Sequence, residues 1–265
     1  MKFSIPKKNE FKRCFFDIET SQAVMKGWRV GYNLNIDAGR IVKDSAIICV
    51  SWKWEGYDTV YNLKWKDGCD KELLTEFVKM ANVSDEMVAH NGDRFDIKWI
   101  TGRCIYHGID CYPKYKTVDT LKMAKRHKFP SNKLDYLAKY LKVGGKIETG
   151  GIALWDAVED GDKKALKKMV EYCDNDVIIL EKVYQKLARY SEPTTHRGIF
   201  EHGDKWECGH CGSGDVNLEK TRYTAKGTPK RQMKCHSCNR YYTISNASYQ
   251  DYLTYKQEQK QRYGK

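Results

Sequence analysis

The chain has 265 residues, 41% hydrophobic and 12% aromatic; this suits one sizeable core with a small appendage and excludes a disordered chain. Its formal net charge of +12 favours a polyanionic partner, nucleic acid first and an acidic membrane surface second. No apolar run is long enough to span a bilayer, and residues 1–8 lack the apolar stretch of a secretory signal. A cytoplasmic, reducing location is therefore expected, with no membrane partner. There the six scattered cysteines, Cys14, Cys49, Cys69, Cys104, Cys111 and Cys173, are expected to be small buried hydrophobes.

In chain order, residues 11–18 read as a strand running into Asp17-Ile18-Glu19-Thr20. A Gly- and Asn-containing stretch follows at about 26–42. Residues 45–54 and 59–65 read as two further strands joined by a turn at Glu55-Gly56-Tyr57-Asp58. Helical periodicity covers 71–80, a short strand 86–90, and a second helix about 95–106. A strand is expected at 115–118, then helices at 119–127 and 133–141, with Ser131 as N-cap of the latter. A long helical stretch, broken once, is expected at 163–190, before a polar boundary at 191–196. This order, three strands first and then helices alternating with strands, predicts an α/β domain with a mixed sheet and helices on both faces.

Three acidic positions stand in three separate elements. Strand alternation puts Asp17 and Glu19 on one face. Asp96 opens a helix, close behind Asn91 and Phe95. In Tyr172-Cys173-Asp174-Asn175-Asp176, the i, i+4 spacing puts Tyr172 and Asp176 together and turns Asp174 away. Each alone has an ordinary reading: a strand end, a helix cap, a solvated helix face. Converging, they would repel unless cations sat among them, and an all-oxygen site suits Mg²⁺ or Mn²⁺. Two such ions can clamp both oxygens of a phosphodiester displacement.

Phe15-Phe16-Asp17-Ile18-Glu19-Thr20, Ala89 to Ile97 and Tyr172-Cys173-Asp174-Asn175-Asp176-Val177 together resemble the three motifs of the DEDD superfamily of 3′→5′ exonucleases. The tyrosine makes the chain most similar to the subclass found in the proofreading domains of family B DNA polymerases. The resemblance spans about residues 10–190 and implies a ribonuclease-H-like fold. By position it implies that Asp17 bridges two metals, Glu19 and Asp176 complete one site, and Asp96 supports the second. Tyr172 would orient the attacking water, and a neutral phenol is a poor base near pH 7. Asp93 lies three residues before Asp96, but Phe95-Asp96 fits the motif spacing.

Between the second and third motifs, residues 114–151 carry ten Lys or Arg against three acids. Lys125, Arg126, Lys128 and Lys133 are the candidates for a path that holds substrate phosphates. Two Cys-x-x-Cys knuckles follow, Cys208/Cys211 and Cys235/Cys238, the spacing of a closed Cys₄ site for one structural Zn²⁺. Two disulfides are the alternative that a reducing location disfavours. His202, His210 and His236 read as surface residues. Between and beside the knuckles, Arg222, Tyr223, Lys230 and Arg231 suit single-stranded nucleic acid. This segment is similar to DNA-binding zinc ribbons of some transposases; a protein-binding ribbon or a plain folding staple is the competing reading.

The expected organisation is a ribonuclease-H-like exonuclease domain at 1–195, a Cys₄ zinc ribbon at 196–247 and a polar tail at 248–265. The expected function is 3′→5′ hydrolysis of single-stranded DNA with two Mg²⁺ or Mn²⁺. Alternatives are an RNA 3′-end exonuclease, a non-catalytic nucleic-acid-binding adaptor and a ribonuclease-H-like endonuclease. No polymerase palm or fingers are visible, so the enzyme is expected to stand free or to serve a polymerase or other replication or repair protein in trans.

Overall fold

The computed structural model describes residues 5–7, 10–31 and 34–264. Two compact units are present: Lys12–Leu187, and Ala188–Lys265 together with Pro6–Phe11. The eight residues 188–195, placed in the first domain on sequence, fall in the second unit.

In the first unit, β1 (Arg13–Thr20), β4 (Ile47–Trp54), β5 (Tyr61–Lys64), β6 (Glu86–Ala89) and β7 (Lys116–Asp119) form one sheet in the order β5-β4-β1-β6-β7. β1–β4 and β4–β5 pair antiparallel, whereas β1–β6 and β6–β7 are parallel, and a helix connects β6 to β7. The short β2 (Val24–Met25) and β3 (Ile41–Lys43) form a separate exposed ribbon at the two ends of the 26–42 stretch, of which residues 32–33 lie outside those described.

Alternation along β1 decides where the core and the acids go. Cys14, Phe16 and Ile18 pack with Leu74 and Phe77 of α1 (Lys71–Ala81) and Ile100 and Cys104 of α2 (Asp96–His107). Phe15 points the other way, with its ring 5.3 Å from that of Tyr184. On that second face, Ile48 and Cys49 of β4 bury against Met169 and Cys173. Truncating a ring as buried as Phe16 costs about 3–5 kcal/mol.

Two short helices follow β7, α3 (Thr120–Ala124) and α4 (Leu134–Tyr140). Lys133, not Ser131, is the N-cap of α4; the Ser131 hydroxyl accepts from the Lys133 N–H at 3.3 Å. Sequence reading missed α5 (Ile152–Glu159), which starts straight after the positive-φ pair Gly150-Gly151. The expected break in the long stretch is absent from α6 (Lys163–Leu187), which runs 25 residues. Cys69 is exposed and Cys111 only partly covered, so the buried-cysteine expectation fails at both.

The second unit holds α7 (Arg197–Phe200) and a three-stranded sheet, β10 (Tyr241–Ile244), β9 (Pro229–Cys235) and β8 (Val216–Tyr223) in that order. The expected tail is α8 (Asn246–Tyr263), capped by Ser245. It is part of the core: Tyr252 is buried beside Trp206, rings 5.4 Å apart, and donates to the Val216 carbonyl at 3.1 Å.

Candidate active site

Asp17 and Glu19 sit on the α6 face of β1. One carboxylate oxygen each from Asp17, Glu19 and Asp176 lies within 4.8 Å of the others. Strand alternation supplies the first two; α6, packed across β1 and β4, supplies the third.

Asp96 arrives by a tight turn after β6. Asn91 takes a left-handed φ of 68°, which asparagine tolerates, and its N–H donates to Asp119 at 2.9 Å. A Cβ on Gly92 would meet the Cβ of Ala89 at 2.5 Å, so only glycine lets the loop fold against β6. The His90 ring is fixed between Thr120 and Asn132, with Nε2 donating to the Asn132 carbonyl at 2.9 Å. Asp96 then opens α2, 2% exposed, with its carboxylate on the Ile18 backbone N–H. It borders Asp17 electrostatically but is not part of the 4.8 Å cluster. Asp93 instead pairs with Lys122 at 2.6 Å.

On α6 the i, i+4 geometry holds Tyr172 beside Asp176. Asp174 turns away to Ser51 (2.6 Å) and Asn62 (3.0 Å). Lys146 is the group that sequence reading left undistinguished among ten cations. Its ammonium donates to the Tyr172 hydroxyl at 2.7 Å and ion-pairs with Asp176. Only its approach to both residues in space sets it apart. From α5, Trp155 meets the Tyr172 ring edge-on at 6.4 Å and donates to the Thr20 carbonyl at 3.1 Å.

The electrostatics are those of uncompensated negative charge. Burial, then neighbouring carboxylates, push the Asp17 carboxyl well above its usual range. Burial and Asp176 push Glu19 up to about 8 against the opposing charge of Lys146. Burial drives Asp96 to about 7, and it raises Asp176 despite the lysine. Burial would lower Lys146, but Asp176 and Tyr172 outweigh it and hold the ammonium above its ordinary value. Tyr172 is raised to about 12, chiefly by burial, so it is a neutral phenol at pH 7.

The donor set fits a hard divalent cation. Asp96 Oδ1 and Asp176 Oδ1 are buried with no hydrogen-bond partner among the described residues, and carboxylate oxygens crowd a site that one ammonium only partly neutralises.

Residues 42–188, more than half of the chain, match the RNase_H_2 family of the RNase_H superfamily. The chain belongs to that superfamily. Its first unit is accordingly a ribonuclease-H-like nuclease fold, a mixed sheet flanked by helices; β1, with Asp17 and Glu19, precedes the matched span. Among solved structures the chain is similar to the family B DNA polymerase of the hyperthermophilic archaeon Pyrobaculum calidifontis, at 16% identity and a TM-score of 0.52. The match covers 68% of this chain and 25% of the polymerase, so the chain spans about a quarter of that protein. The likeness is one of fold. Among curated proteins no sequence relative matches.

In this RNase_H-superfamily chain the basic residues divide. Lys125, Lys133 and Lys146 line an open depression of about 600 Å³ with His90, Asn91 and Asn132. Arg126 and Lys128 are exposed but do not line it.

In the second unit the four knuckle cysteines converge. Cys208 and Cys238 sulfurs are 3.6 Å apart, as are those of Cys211 and Cys235. Four thiolates about 2.3 Å from one Zn²⁺ would stand roughly 3.8 Å apart, whereas a disulfide needs about 2.05 Å. The cluster is compatible with a zinc ribbon. Arg222 and Lys230 face each other across β8 and β9, and Tyr223 is 71% exposed. Arg231 is different: its guanidinium is bound to Thr221 (2.7 Å) and Asn246 (2.9 Å) and lies over Tyr249. It ties β9 to α8, a role that the sequence reading did not give it. His210 is held by Arg240 rather than lying loose on the surface.

No helix among the described residues is long and apolar enough to cross a membrane.

Proposed function

We propose that this chain is a metal-dependent 3′→5′ exonuclease acting on single-stranded DNA. The observation that carries the reading is the convergence of carboxylates from β1 and α6 beside a tyrosine, with Asp96 of α2 as an electrostatic neighbour, in a nuclease fold, where burial and mutual repulsion call for cations.

Two Mg²⁺ or Mn²⁺ ions would supply Lewis acidity to the attacking water and offset charge on the leaving oxygen. Asp17, Glu19 and Asp176 would hold them, with Asp96, set back from the other three, as a further carboxylate for the same centre. The neutral Tyr172 hydroxyl orients the attacking water by hydrogen bonding and does not act as a full base. Lys146 positions Tyr172 and Asp176. The strand enters along Lys125 and Lys133, with Arg126 and Lys128 on its outer margin. One Zn²⁺ on Cys208, Cys211, Cys235 and Cys238 staples the ribbon, which grips the strand through Arg222, Tyr223 and Lys230. A replication or repair protein is the partner class that this reading proposes.

Asp17→Ala and Asp176→Ala are expected to abolish Mg²⁺-dependent strand hydrolysis with the far-ultraviolet spectrum unchanged. Undiminished turnover in either would remove the site assignment.

A further inference from the structure

A second cationic pocket lies on α2, beyond the catalytic carboxylates. It is an open depression of about 240 Å³ lined by Arg94, Lys98, Trp99, Gly102 and Arg103. No acid lines it. The one acid of α2, Asp96, turns into the cleft and is 2% exposed.

The three cations differ in what they can offer. Arg103 donates to Asp70 from two nitrogens, at 2.8 and 2.9 Å, and lies 4.5 Å from the Tyr106 ring centre. That fixes it as a rigid wall whose charge is largely met by a fully buried aspartate. Arg94 and Lys98 are exposed and make no ion pair or side-chain hydrogen bond among the described residues. Beside them Phe95 is 39% exposed, its ring 6.2 Å from that of Trp99. Free cations beside exposed aromatic rings suit phosphates and unstacked bases.

Gly102 supports the same reading. It sits in the interior of a 12-residue helix, where glycine costs about 1 kcal/mol relative to alanine. Its φ is not positive, and a Cβ would meet nothing within 4 Å. Neither backbone nor packing requires glycine there; what it does is leave the depression open.

We propose that this pocket is a phosphate subsite that holds the sugar–phosphate backbone of the bound strand outside the catalytic cleft. The subsite rests on the reading of the chain as a nucleic-acid enzyme. Residues 98–103 lie about 3–10 Å along the helix axis from Asp96, so one strand can reach both. The pocket extends the grip on the strand without taking part in the chemistry.

The test uses the full chain carrying Asp17→Ala, so that strands bind without being cut. Binding of a long single strand is titrated against salt. Arg94→Ala with Lys98→Ala should shrink the slope of log Kobs on log salt by about 0.7 per lost phosphate contact, or about 1.4 for the pair. Gly102→Leu should weaken the long strand several-fold, leave a dinucleotide unaffected, and raise the thermal midpoint because leucine favours the helix. An unchanged slope together with unchanged affinity in Gly102→Leu overturns the proposal. If the variants instead lose only binding of inorganic phosphate, measured by calorimetry, the pocket is a free-anion site and the backbone reading fails. Hydrolysis by the otherwise unaltered chain is scored separately: pocket-dependent binding without hydrolysis would sink the exonuclease reading and leave this one standing.

Discussion

Lys146→Met separates the lysine's structural work from that of a bound metal. The substitution keeps most of the side-chain length and removes the only cation paired with the carboxylate cluster among the described residues. Asp176 is 2% exposed, so breaking its ion pair would cost about 3–5 kcal/mol were both partners buried. The lysine side chain is 30% exposed, and solvent screening brings the figure to about 1–3 kcal/mol. With a urea slope of about 2 kcal/mol per molar, the unfolding midpoint of the first unit should fall by roughly 0.5–1.5 M in EDTA at pH 8. In saturating Mg²⁺ the deficit should shrink, because a divalent ion then neutralises the same carboxylates. The assay is urea unfolding of both proteins in EDTA and in Mg²⁺, read on a signal of the first unit so that zinc lost from the second, alike in both proteins, does not enter. Equal midpoints in EDTA would refute the claim that Lys146 is the resident counter-charge. A deficit untouched by Mg²⁺ would refute the claim that a metal sits among these oxygens.

Further outcomes follow from the same geometry. Glu19 at about 8 and Asp96 at about 7 are raised above their ordinary 4.5 and 3.8, so the folded metal-free protein binds more protons than the unfolded chain. Its thermal midpoint in EDTA should therefore fall as pH rises from about 5 to about 8, and Mg²⁺ should flatten that slope; a midpoint rising over this window contradicts the account. The second unit should contain one zinc per chain by elemental analysis, and Cys235→Ser should open residues 188–265 to proteolysis while 12–187 stays protected, since a structural zinc contributes about 10–16 kcal/mol. Four titratable thiols in a metal-free, protease-resistant second unit would argue against the zinc.

Much of this was legible in the sequence because it depends on short-range rules. Period-two alternation puts Asp17 and Glu19 together, and the helical i, i+4 rule pairs Tyr172 with Asp176. The sheet strands stood out as β-branched and aromatic runs between turns, and the cysteine knuckles by spacing alone. What escaped depends on contacts distant in sequence. Lys146 is 26 residues from Tyr172 and 30 from Asp176, so nothing local distinguishes it from its neighbours. Arg231 reads as a free cation until β9 is seen against α8, 15 residues on. The tail looked polar, yet Tyr252 and Tyr255 dock it against Trp206, with Leu253 beside the same cluster. The helix α5 was overlooked because Gly150-Gly151 resembles a loop, although Leu154 and Val158 carry the i, i+4 signal.

The central claim is that carboxylates drawn from three elements form a metal-dependent centre that trims 3′ ends. A time course on 5′-labelled single-stranded DNA and RNA of one sequence, with Mg²⁺, Mn²⁺ or EDTA, tests it most directly. The account predicts a ladder that shortens from the 3′ end, faster on DNA, and is lost in EDTA. Intact strands in every metal despite full binding, or cleavage of a circular strand with no end, would contradict it.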